Sequence, residues 1–111
     1  MTDGPLPGTG PKFDTGKARW SLLPKGVVNL VVLVLEFGAK KYYEESWKLV
    51  ENGRQRYYDA AMRHMEQWWG GERYDKETGL HHLAHATCNL FFLMWKDENE
   101  DKQSAPTDPS T

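Results

Sequence analysis

Residues 54–69, RQRYYDAAMRHMEQWW, carry the clearest secondary-structure signal in this chain of 111 residues. Apolar side chains recur there at the spacing i, i+3, i+4, i+7 and i+11, at Tyr58, Ala61, Met62, Met65 and Trp69. One face of an α-helix has this spacing, because the helix turns once in about 3.6 residues. A glycine pair follows directly, where helices commonly end. The stretch predicts a helix that buries this stripe.

A second helix is predicted upstream, in PKGVVNLVVLVLEFGAKKY, residues 24–42. Pro24 suits the first turn of a helix, and the lysine pair near the end suits the negative end of the helix dipole. The β-branched valines make a strand the rival interpretation, but the apolar run is long for a strand. Asn29 and Glu36 also interrupt the run seven residues apart, which is helical spacing.

The third helix is expected from about Leu80 to Lys96, after the turn-rich connector DKETG. Between the first two helices, EESWKLVENG predicts a short helical turn and a loop. The sequence shows neither convincing strand alternation nor an internal repeat. It therefore predicts an all-α domain of three to four helices. So small a core favours a homodimer or a homotetramer.

Both ends of the chain contain few residues that a core could bury. Residues 1–11 are rich in proline and glycine, and residues 97–111 are acidic and then rich in serine, proline and threonine. Both segments are expected to be disordered tails. Residues 12–96 are left as a single domain.

Composition excludes several classes of protein. A net charge of −2 argues against sequence-independent binding to DNA. The lone Cys88 excludes an internal disulfide and fits a reducing cytoplasm. No apolar run reaches the roughly 18 residues of a membrane span, and the start lacks the layout of a signal peptide. We expect a soluble, cytoplasmic protein that contacts neither membrane nor DNA.

Polar residues line one stripe of the third predicted helix. His82, His85 and Asn89 are spaced i, i+3 and i+7, so all three side chains can reach the same point of a bundle core. The functional interpretation makes the two histidines metal ligands or acid–base groups, with Asn89 orienting a ligand or a water. The alternative is a pair of partly buried histidines at a subunit interface. The companion face of the helix is apolar, with Leu83, Leu90, Phe91 and Met94.

Charged residues on the other two helices are further candidates. Glu36 stands in an apolar run, where a buried carboxylate needs a partner or a metal; the simpler interpretation pairs it with Lys40. Asp59 shares a face with Arg63, and an ion pair between them is the simpler interpretation, while His64 lies on the opposite flank. The helices can bring five such groups towards one cavity: Glu36, Asp59, His64, His82 and His85. Mixed carboxylate and imidazole groups suit a divalent metal such as Mn²⁺, Mg²⁺ or Zn²⁺.

A basic segment, KFDTGKARWSLLP, precedes the first helix at residues 12–24. Lys12, Lys17 and Arg19 place three cations within eight residues, which suits a phosphate-bearing ligand, and Trp20 offers a ring for stacking on a base. The segment does not match the phosphate-binding loop of nucleotide-binding α/β proteins. A solvated basic segment is the alternative interpretation.

Three blocks of sequence together resemble a phage-encoded family, the dATP/dGTP diphosphohydrolase N-terminal domain, allied with the MazG-like all-α nucleoside triphosphate pyrophosphohydrolases. The blocks are KFDTGKARWSLLP, LEFGAKKYYEESW and RYYDAAMRHMEQWWGGERYDKETGLHHLAHATCNLFFL, and the resemblance covers about residues 12–95. It implies hydrolysis between the α- and β-phosphates of a (deoxy)purine nucleoside triphosphate, giving the monophosphate and pyrophosphate. It also implies a helical, dimeric or tetrameric enzyme that needs Mg²⁺ or Mn²⁺.

The sequence departs from MazG-like enzymes at the metal motifs. Those enzymes use EExxE on one helix and ExxD on the next, whereas this chain has His82 and His85 in the ExxD place and offers Asp59, His64 and Glu66 on the preceding helix. The resulting hypothesis assigns catalysis to Glu36, Asp59, His64 and His82, and metal binding to Glu36, Asp59, His82 and His85. The predicted substrate-binding residues are Lys12, Asp14, Lys17, Arg19, Trp20, Lys40, Trp47, Arg63 and Asn89.

Two other functional classes remain open from the sequence. The missing carboxylates favour a non-catalytic nucleotide-binding or oligomeric adaptor protein of a phage. A structural helical dimer with the histidines at its interface is the third possibility. That dimer would dissociate below about pH 6, where histidine becomes protonated.

Overall fold

A computed structural model describes residues 10–100, and the predictions for residues 1–9 and 101–111 lie outside that range. The described part contains no β-strand and forms three α-helices: α1 (Val28–Lys41), α2 (Gly53–Trp69) and α3 (His82–Asn99). Short 3₁₀ turns lie before α1 at Trp20–Leu22 and between α1 and α2 at Ser46–Leu49. The prediction of an all-α domain is confirmed. None of the helices described is long and apolar enough to cross a membrane.

Helix α1 begins four residues later than the sequence predicts. Gly26 has a φ of 85°, and a left-handed residue interrupts the helical backbone, so the helix starts at Val28 rather than at Pro24. Its last turn carries Lys40 and Lys41, as predicted. The valine-rich run is therefore helical and not a strand.

The apolar core lies between α1 and α3. Val31 and Val34, one turn apart on α1, are buried together with Ala84 and Cys88 of α3. These four residues form the centre of the core, and partly buried leucines pack around them. The core is small because α1 contacts the helical pair chiefly through this one face.

Helices α2 and α3 form an antiparallel hairpin. The rings of Tyr57 and Phe92 lie 5.0 Å apart, and the rings of His64 and His82 lie 5.1 Å apart, so residue numbers rise along α2 as they fall along α3. This pairing brings the middle of α2 opposite the first turns of α3. The histidines of the two helices therefore meet.

The buried face of α2 differs from the predicted stripe. Ala61 is buried, but Tyr58 is 56% exposed, Trp69 is 79% exposed, and Met62 and Met65 are also exposed. The buried and half-buried residues follow a stripe shifted by one position, at Tyr57, Ala61, His64 and Trp68. The predicted core face of α2 was therefore wrong, since α3 packs against the neighbouring face.

Helix α3 starts at His82 and ends at Asn99, three residues beyond the predicted end. Its Leu90, Phe91 and Met94 are exposed, whereas the predicted polar stripe faces α2. Helix α3 thus buries two imidazoles together with the small apolar residues Ala84 and Cys88, while several of its large apolar side chains lie at the surface.

The connection between α1 and α2 contains the predicted short helical turn. Its Trp47 ring stacks on Phe92 of α3 at 4.4 Å between ring centroids and meets the edge of Trp95 at 5.1 Å. The hydroxyl of Tyr57 donates to the carbonyl oxygen of Trp47 at 2.8 Å. The connection is therefore fixed to the far end of the hairpin by aromatic contacts.

Candidate functional site

Three histidines meet inside the α2–α3 hairpin. His82 is fully buried, at 0% exposure, and its Nδ1 lies 2.9 Å from Nδ1 of His64. The His64 ring stacks on the ring of His85 with centroids 4.4 Å apart and an angle of 7° between the planes. The i, i+3 spacing of the two α3 histidines places both against the single histidine of α2.

The loop between α2 and α3 brings acidic groups to the same place. Its conformation is set by backbone hydrogen bonds that close it on itself: the Asp75 N–H donates to the Leu80 carbonyl at 2.8 Å, and the His82 N–H donates to the Arg73 carbonyl at 2.9 Å. A β-bridge between Tyr74 and His81 joins the two sides of the loop. Glu72 and Asp75 thereby lie beside the histidines.

Glu72 is the partner of the buried imidazole. Its Oε1 lies 2.6 Å from Nε2 of His82, so the Nε2–H of a neutral His82 donates to the carboxylate. In that neutral tautomer the lone pair of His82 Nδ1 is directed at His64. A carboxylate behind an imidazole is the usual outer support of a histidine that binds a metal.

Asp75, Thr78 and His85 form a second hydrogen-bonded group. The Thr78 backbone N–H donates to Oδ2 of Asp75 at 2.9 Å, and the Thr78 hydroxyl lies 2.8 Å from Nε2 of His85. The Leu80 N–H donates to the same hydroxyl at 3.1 Å. The loop thus holds an aspartate and a hydroxyl in fixed positions against the imidazole cluster.

The environment of the cluster shifts its pKa values. Burial, and then the neighbouring His85 and His82, lower the pKa of His64 from 6.5 to about 4. Burial also lowers the pKa of His85, although Asp75 opposes this shift. For Asp75, burial alone would raise the pKa, but the hydrogen bonds from Thr78 and the nearby histidines outweigh it and lower the pKa below 3.8. His64 and His85 are therefore neutral, and Asp75 is ionised, near pH 7.

Three of these residues offer ligand atoms at the spacing that a single cation requires. A nitrogen of His64, a nitrogen of His82 and a carboxylate oxygen of Asp75 all lie within 4.8 Å of one another. The neutral imidazole of His64 and the ionised carboxylate of Asp75 are in the protonation states that metal binding needs. We refer to His64, Glu72, Asp75, Thr78, His82 and His85 together as the histidine–carboxylate cluster.

A cavity of about 940 Å³ borders this cluster. Its walls are one face of α2, one face of α3, the end of α1 and the connection that carries Trp47. His85 belongs both to the cluster and to the cavity wall. Arg63 and Asn89 line the cavity beside it, and the Asn89 Nδ2 donates to the His85 carbonyl at 2.8 Å.

The two predicted carboxylates, Glu36 and Asp59, occupy different positions relative to the histidines. Glu36 is exposed on α1, because it is two residues from the buried Val34, about 200° around the helix. Asp59 is exposed in the cavity wall and is not among the grouped ligand atoms. The predicted approach of Glu36 to this cavity was therefore wrong. Asp59 shares the cavity wall with His85, and His64 contacts both histidines of α3, as predicted.

The predicted substrate-binding residues fall into two groups. Trp47, Arg63 and Asn89 line the cavity. The other predicted residues are exposed and are absent from its walls. They are Lys12, Asp14, Lys17, Arg19, Trp20 and Lys40. His85, a predicted metal ligand, has Nε2 against Thr78 and is not one of the three grouped ligands.

The histidine stripe faces the inside of its own chain. His82 and His85 are buried by α2 and by the loop after it, without any second chain. The alternative that places these histidines at a subunit interface is therefore wrong.

Sequence reasoning missed Glu72, Asp75 and Thr78. All three lie in the connector between the predicted helices, GERYDKETG, where helical periodicity gives no information about direction. The available signal was the pattern Asp-x-x-Thr-Gly, which is typical of a turn closed by side-chain hydrogen bonds.

The fold and the cluster define a class of protein: an all-α domain whose helical hairpin holds imidazole and carboxylate groups suited to a divalent cation. The sequence model of a family described as "dATP/dGTP diphosphohydrolase, N-terminal" matches residues 7–105. The chain belongs to this family, and the predicted resemblance is confirmed. The alliance with MazG-like enzymes stays a prediction.

A curated relative supports the same family. The chain is similar to a dATP/dGTP diphosphohydrolase of Salmonella phage PMBT28, with 40% identity over 87 residues, which are 78% of this chain and 29% of the relative. The chain thus spans less than a third of the relative's length. No solved structure matches the chain.

Proposed function

We propose that this domain hydrolyses (deoxy)purine nucleoside triphosphates to the monophosphate and pyrophosphate, and that it depends on a divalent metal. The observation that carries the proposal is the grouping of His64, Asp75 and His82 ligand atoms within 4.8 Å, with Glu72 behind His82. The family membership and the name of the phage relative supply the substrate class.

The donor set fits a divalent cation. Two imidazole nitrogens and one carboxylate oxygen suit Mn²⁺ or Zn²⁺ better than Mg²⁺, which prefers oxygen ligands. Such a cation, when bound, would offset phosphate charge and lower the pKa of the attacking water. His64, Asp75 and His82 would hold it.

Binding a cation requires one proton to move within the cluster. When a neutral His82 carries its proton on Nε2, facing Glu72, the 2.9 Å contact between the two Nδ1 atoms is a hydrogen bond donated by His64. For both Nδ1 lone pairs to be available, His64 must carry its proton on Nε2 instead. Its lowered pKa of about 4 keeps the ring neutral while this tautomer change occurs.

The remaining residues of the cluster supply acid–base chemistry. Attack of water on the α-phosphorus breaks its bond to the bridging oxygen and releases pyrophosphate, and the water must lose a proton. His85 is neutral because burial lowers its pKa, so it can accept that proton. The Thr78 hydroxyl at 2.8 Å from Nε2 orients the ring for this role.

The test is pyrophosphate release from each of the four dNTPs in the presence of Mn²⁺. We expect release from dATP or dGTP, and a loss of at least about 100-fold in His82→Ala and in Asp75→Asn, because each removes a ligand. His85→Ala should lower the rate while Mn²⁺ binding is retained. Full activity in both His82→Ala and Asp75→Asn would contradict the site.

A second candidate is a non-catalytic nucleotide-binding or adaptor domain. The aligned segment covers 29% of the phage relative, and the relative's name describes the whole protein. This low coverage favours the second candidate. Calorimetry separates the two candidates. Nucleotide binding without pyrophosphate release supports the adaptor.

We also propose that the domain acts as a homodimer or homotetramer in the cytoplasm of a phage-infected cell. The support is the stripe of exposed apolar side chains on α2: Tyr58, Met62, Met65 and Trp69. Apolar surface of this kind commonly marks a protein interface.

A further inference from the structure

The two ends of the cavity beside the histidine–carboxylate cluster have different lining residues. We propose that it holds the nucleoside of the substrate, with the base at the Trp47 end and the phosphates at the Arg63 end. This inference rests on the proposed function and adds the position and orientation of the nucleotide. The volume of about 940 Å³ is at the upper end of small-molecule sites, roughly 300–1,000 Å³.

The helical register sets the length of the cavity. Arg63 and His85 line it at the level of the cluster, and Arg56 and Phe92 line it seven residues further along each helix. Seven residues of α-helix rise about 10 Å. A ligand lying along the hairpin can therefore reach the cluster with one end and the aromatic contacts with the other.

The end near the cluster suits phosphate. Arg63 precedes His64 in the chain and lines the cavity where His85 joins the cluster. Its guanidinium belongs to the residue next to the proposed ligand His64, and a guanidinium binds phosphate through paired hydrogen bonds. A phosphate there lies between the Arg63 guanidinium and the cluster.

The opposite end suits a neutral base with amino groups. Trp47 and Phe92 provide aromatic surface, and Glu44 and Glu45 line the same end. Carboxylates repel phosphates but accept hydrogen bonds from the amino groups of a purine. Arg56 also lines this end and Lys48 pairs with Glu45 at 2.6 Å, so the orientation depends on the positions of the cluster and of the aromatic rings rather than on charge alone.

Two acceptors lie between the ends. Asp59 and Asn89 face the cavity from α2 and α3. The Asn89 Nδ2 donates to the His85 carbonyl, which leaves the Asn89 Oδ1 as the acceptor for a ligand. The 3′-hydroxyl of a deoxyribose is a donor that fits this position.

The basic segment at residues 12–24 is not part of this site. All of its residues are exposed, with Phe13 at 86% and Trp20 at 78%, and none lines the cavity. The structure thus assigns phosphate binding to Arg63 of α2, in place of the cations of that segment.

The test compares two arginines of α2 in the full chain. Arg63→Gln removes the cation that lines the cavity at the level of the cluster, and Arg54→Gln removes an exposed arginine nine residues away, half a turn around the helix. The probe is α,β-methylene-dATP, which cannot be cleaved at the relevant bond, titrated calorimetrically with Mn²⁺ present. We expect about tenfold or greater loss of affinity in Arg63→Gln, since a charged hydrogen bond is lost, and less than about twofold in Arg54→Gln.

A photo-crosslink locates the base. With 8-azido-dATP and peptide mass spectrometry, we expect label in residues 42–50 or at Phe92. Label confined to residues 12–24 would overturn the orientation. So would a loss of affinity in Lys17→Gln or Arg19→Gln that is absent from Arg63→Gln.

The outcomes separate this inference from the proposed function. If the wild-type chain releases pyrophosphate but Arg63→Gln leaves both KM and analogue affinity unchanged, the orientation is wrong and the function stands. If the wild-type chain neither binds the analogue nor releases pyrophosphate, both are wrong. Binding of Mn²⁺ without nucleotide should be equal in the wild type, Arg63→Gln and Arg54→Gln.

Discussion

The carboxylate of Glu72 decides which nitrogen of the buried His82 carries a proton. Its Oε1 contacts Nε2 at 2.6 Å, so Nδ1 keeps its lone pair. Glu72→Gln retains the shape of the side chain but lets the amide present a donor to Nε2. The opposite tautomer of His82 would then be favoured.

We expect Glu72→Gln to weaken Mn²⁺ binding by about 10- to 100-fold, the usual effect of losing an outer support. Calorimetric titration of Mn²⁺ without nucleotide measures it. Glu51→Gln, on an exposed residue outside the cluster, is the control. Equal Mn²⁺ affinity in the wild type and Glu72→Gln would show that the carboxylate does not support the ligand.

The His64 imidazole makes the metal-free domain sensitive to acid. Burial and two neighbouring histidines lower its pKa from 6.5 to about 4 in the folded state. As the pH falls through that interval the unfolded chain binds the proton first, so the free energy of unfolding decreases. We expect stability to be unaffected by this group above pH 6.5 and to decline towards pH 4.

Urea unfolding in the presence of EDTA, at pH values from 7.5 to 4, measures this decline. The free energy of unfolding of His64→Gln should depend less steeply on pH than that of the wild type. Some dependence should remain, because burial also lowers the pKa of His85. A pH dependence identical in the wild type and His64→Gln would contradict the assignment.

Helix α2 shows what sequence periodicity could and could not predict. Its end was predictable because two glycines follow Trp69, and its length was predictable from sustained helical spacing. Its buried face was not, since two stripes one residue apart both satisfy the helical period. The more apolar stripe contains Met62, whereas α3 packs on the stripe with Tyr57 and His64, where ring stacking and hydrogen bonds stabilise the contact.

Only those residues of the candidate site that lie on helices were predictable from the sequence. His64, His82 and His85 converge because their spacing fixes their direction on α2 and α3. Glu72 and Asp75 lie in a loop, whose conformation depends on backbone hydrogen bonds formed after the helices pair. Helical periodicity cannot predict the positions of such loop residues.

Alanine substitutions at two helical glycines are expected to change the stability in opposite directions. A Cβ added at Gly38 of α1 meets nothing within 4 Å, whereas a Cβ added at Gly53 of α2 lies 2.7 Å from Cε of Lys96. We expect Gly38→Ala to raise the free energy of unfolding by about 0.5–1 kcal/mol through helix propensity. Gly53→Ala should lower it, because the buried Lys96 must move away from its partner Glu100.

Thermal unfolding monitored by circular dichroism compares both variants with the wild type. Gly53→Ala in a Lys96→Ala background is the control, since the obstructing side chain is then absent. If Gly53→Ala lowered the stability equally in both backgrounds, a clash with Lys96 would not be the cause of the destabilisation.

At the scale of the whole molecule, the exposed stripe of α2 predicts an assembly. We expect the purified chain to exceed its monomer mass of 12.8 kDa in light scattering. The double substitution Met62→Glu and Met65→Glu should reduce the measured mass, because two charges would be buried without partners. Phe13→Glu, on an exposed residue of the segment before α1, is the control. A wild-type mass of one chain at all concentrations would contradict the oligomer.

All six residues of the histidine–carboxylate cluster belong to one uninterrupted part of the chain, from His64 to His85. No distant segment has to be recruited, so the contact order of the site is low and its loop-closure entropy is small. The cluster should therefore assemble with the hairpin, early in folding. We expect Mn²⁺ added during stopped-flow refolding to increase the folding rate, whereas a site completed late would change only the unfolding rate.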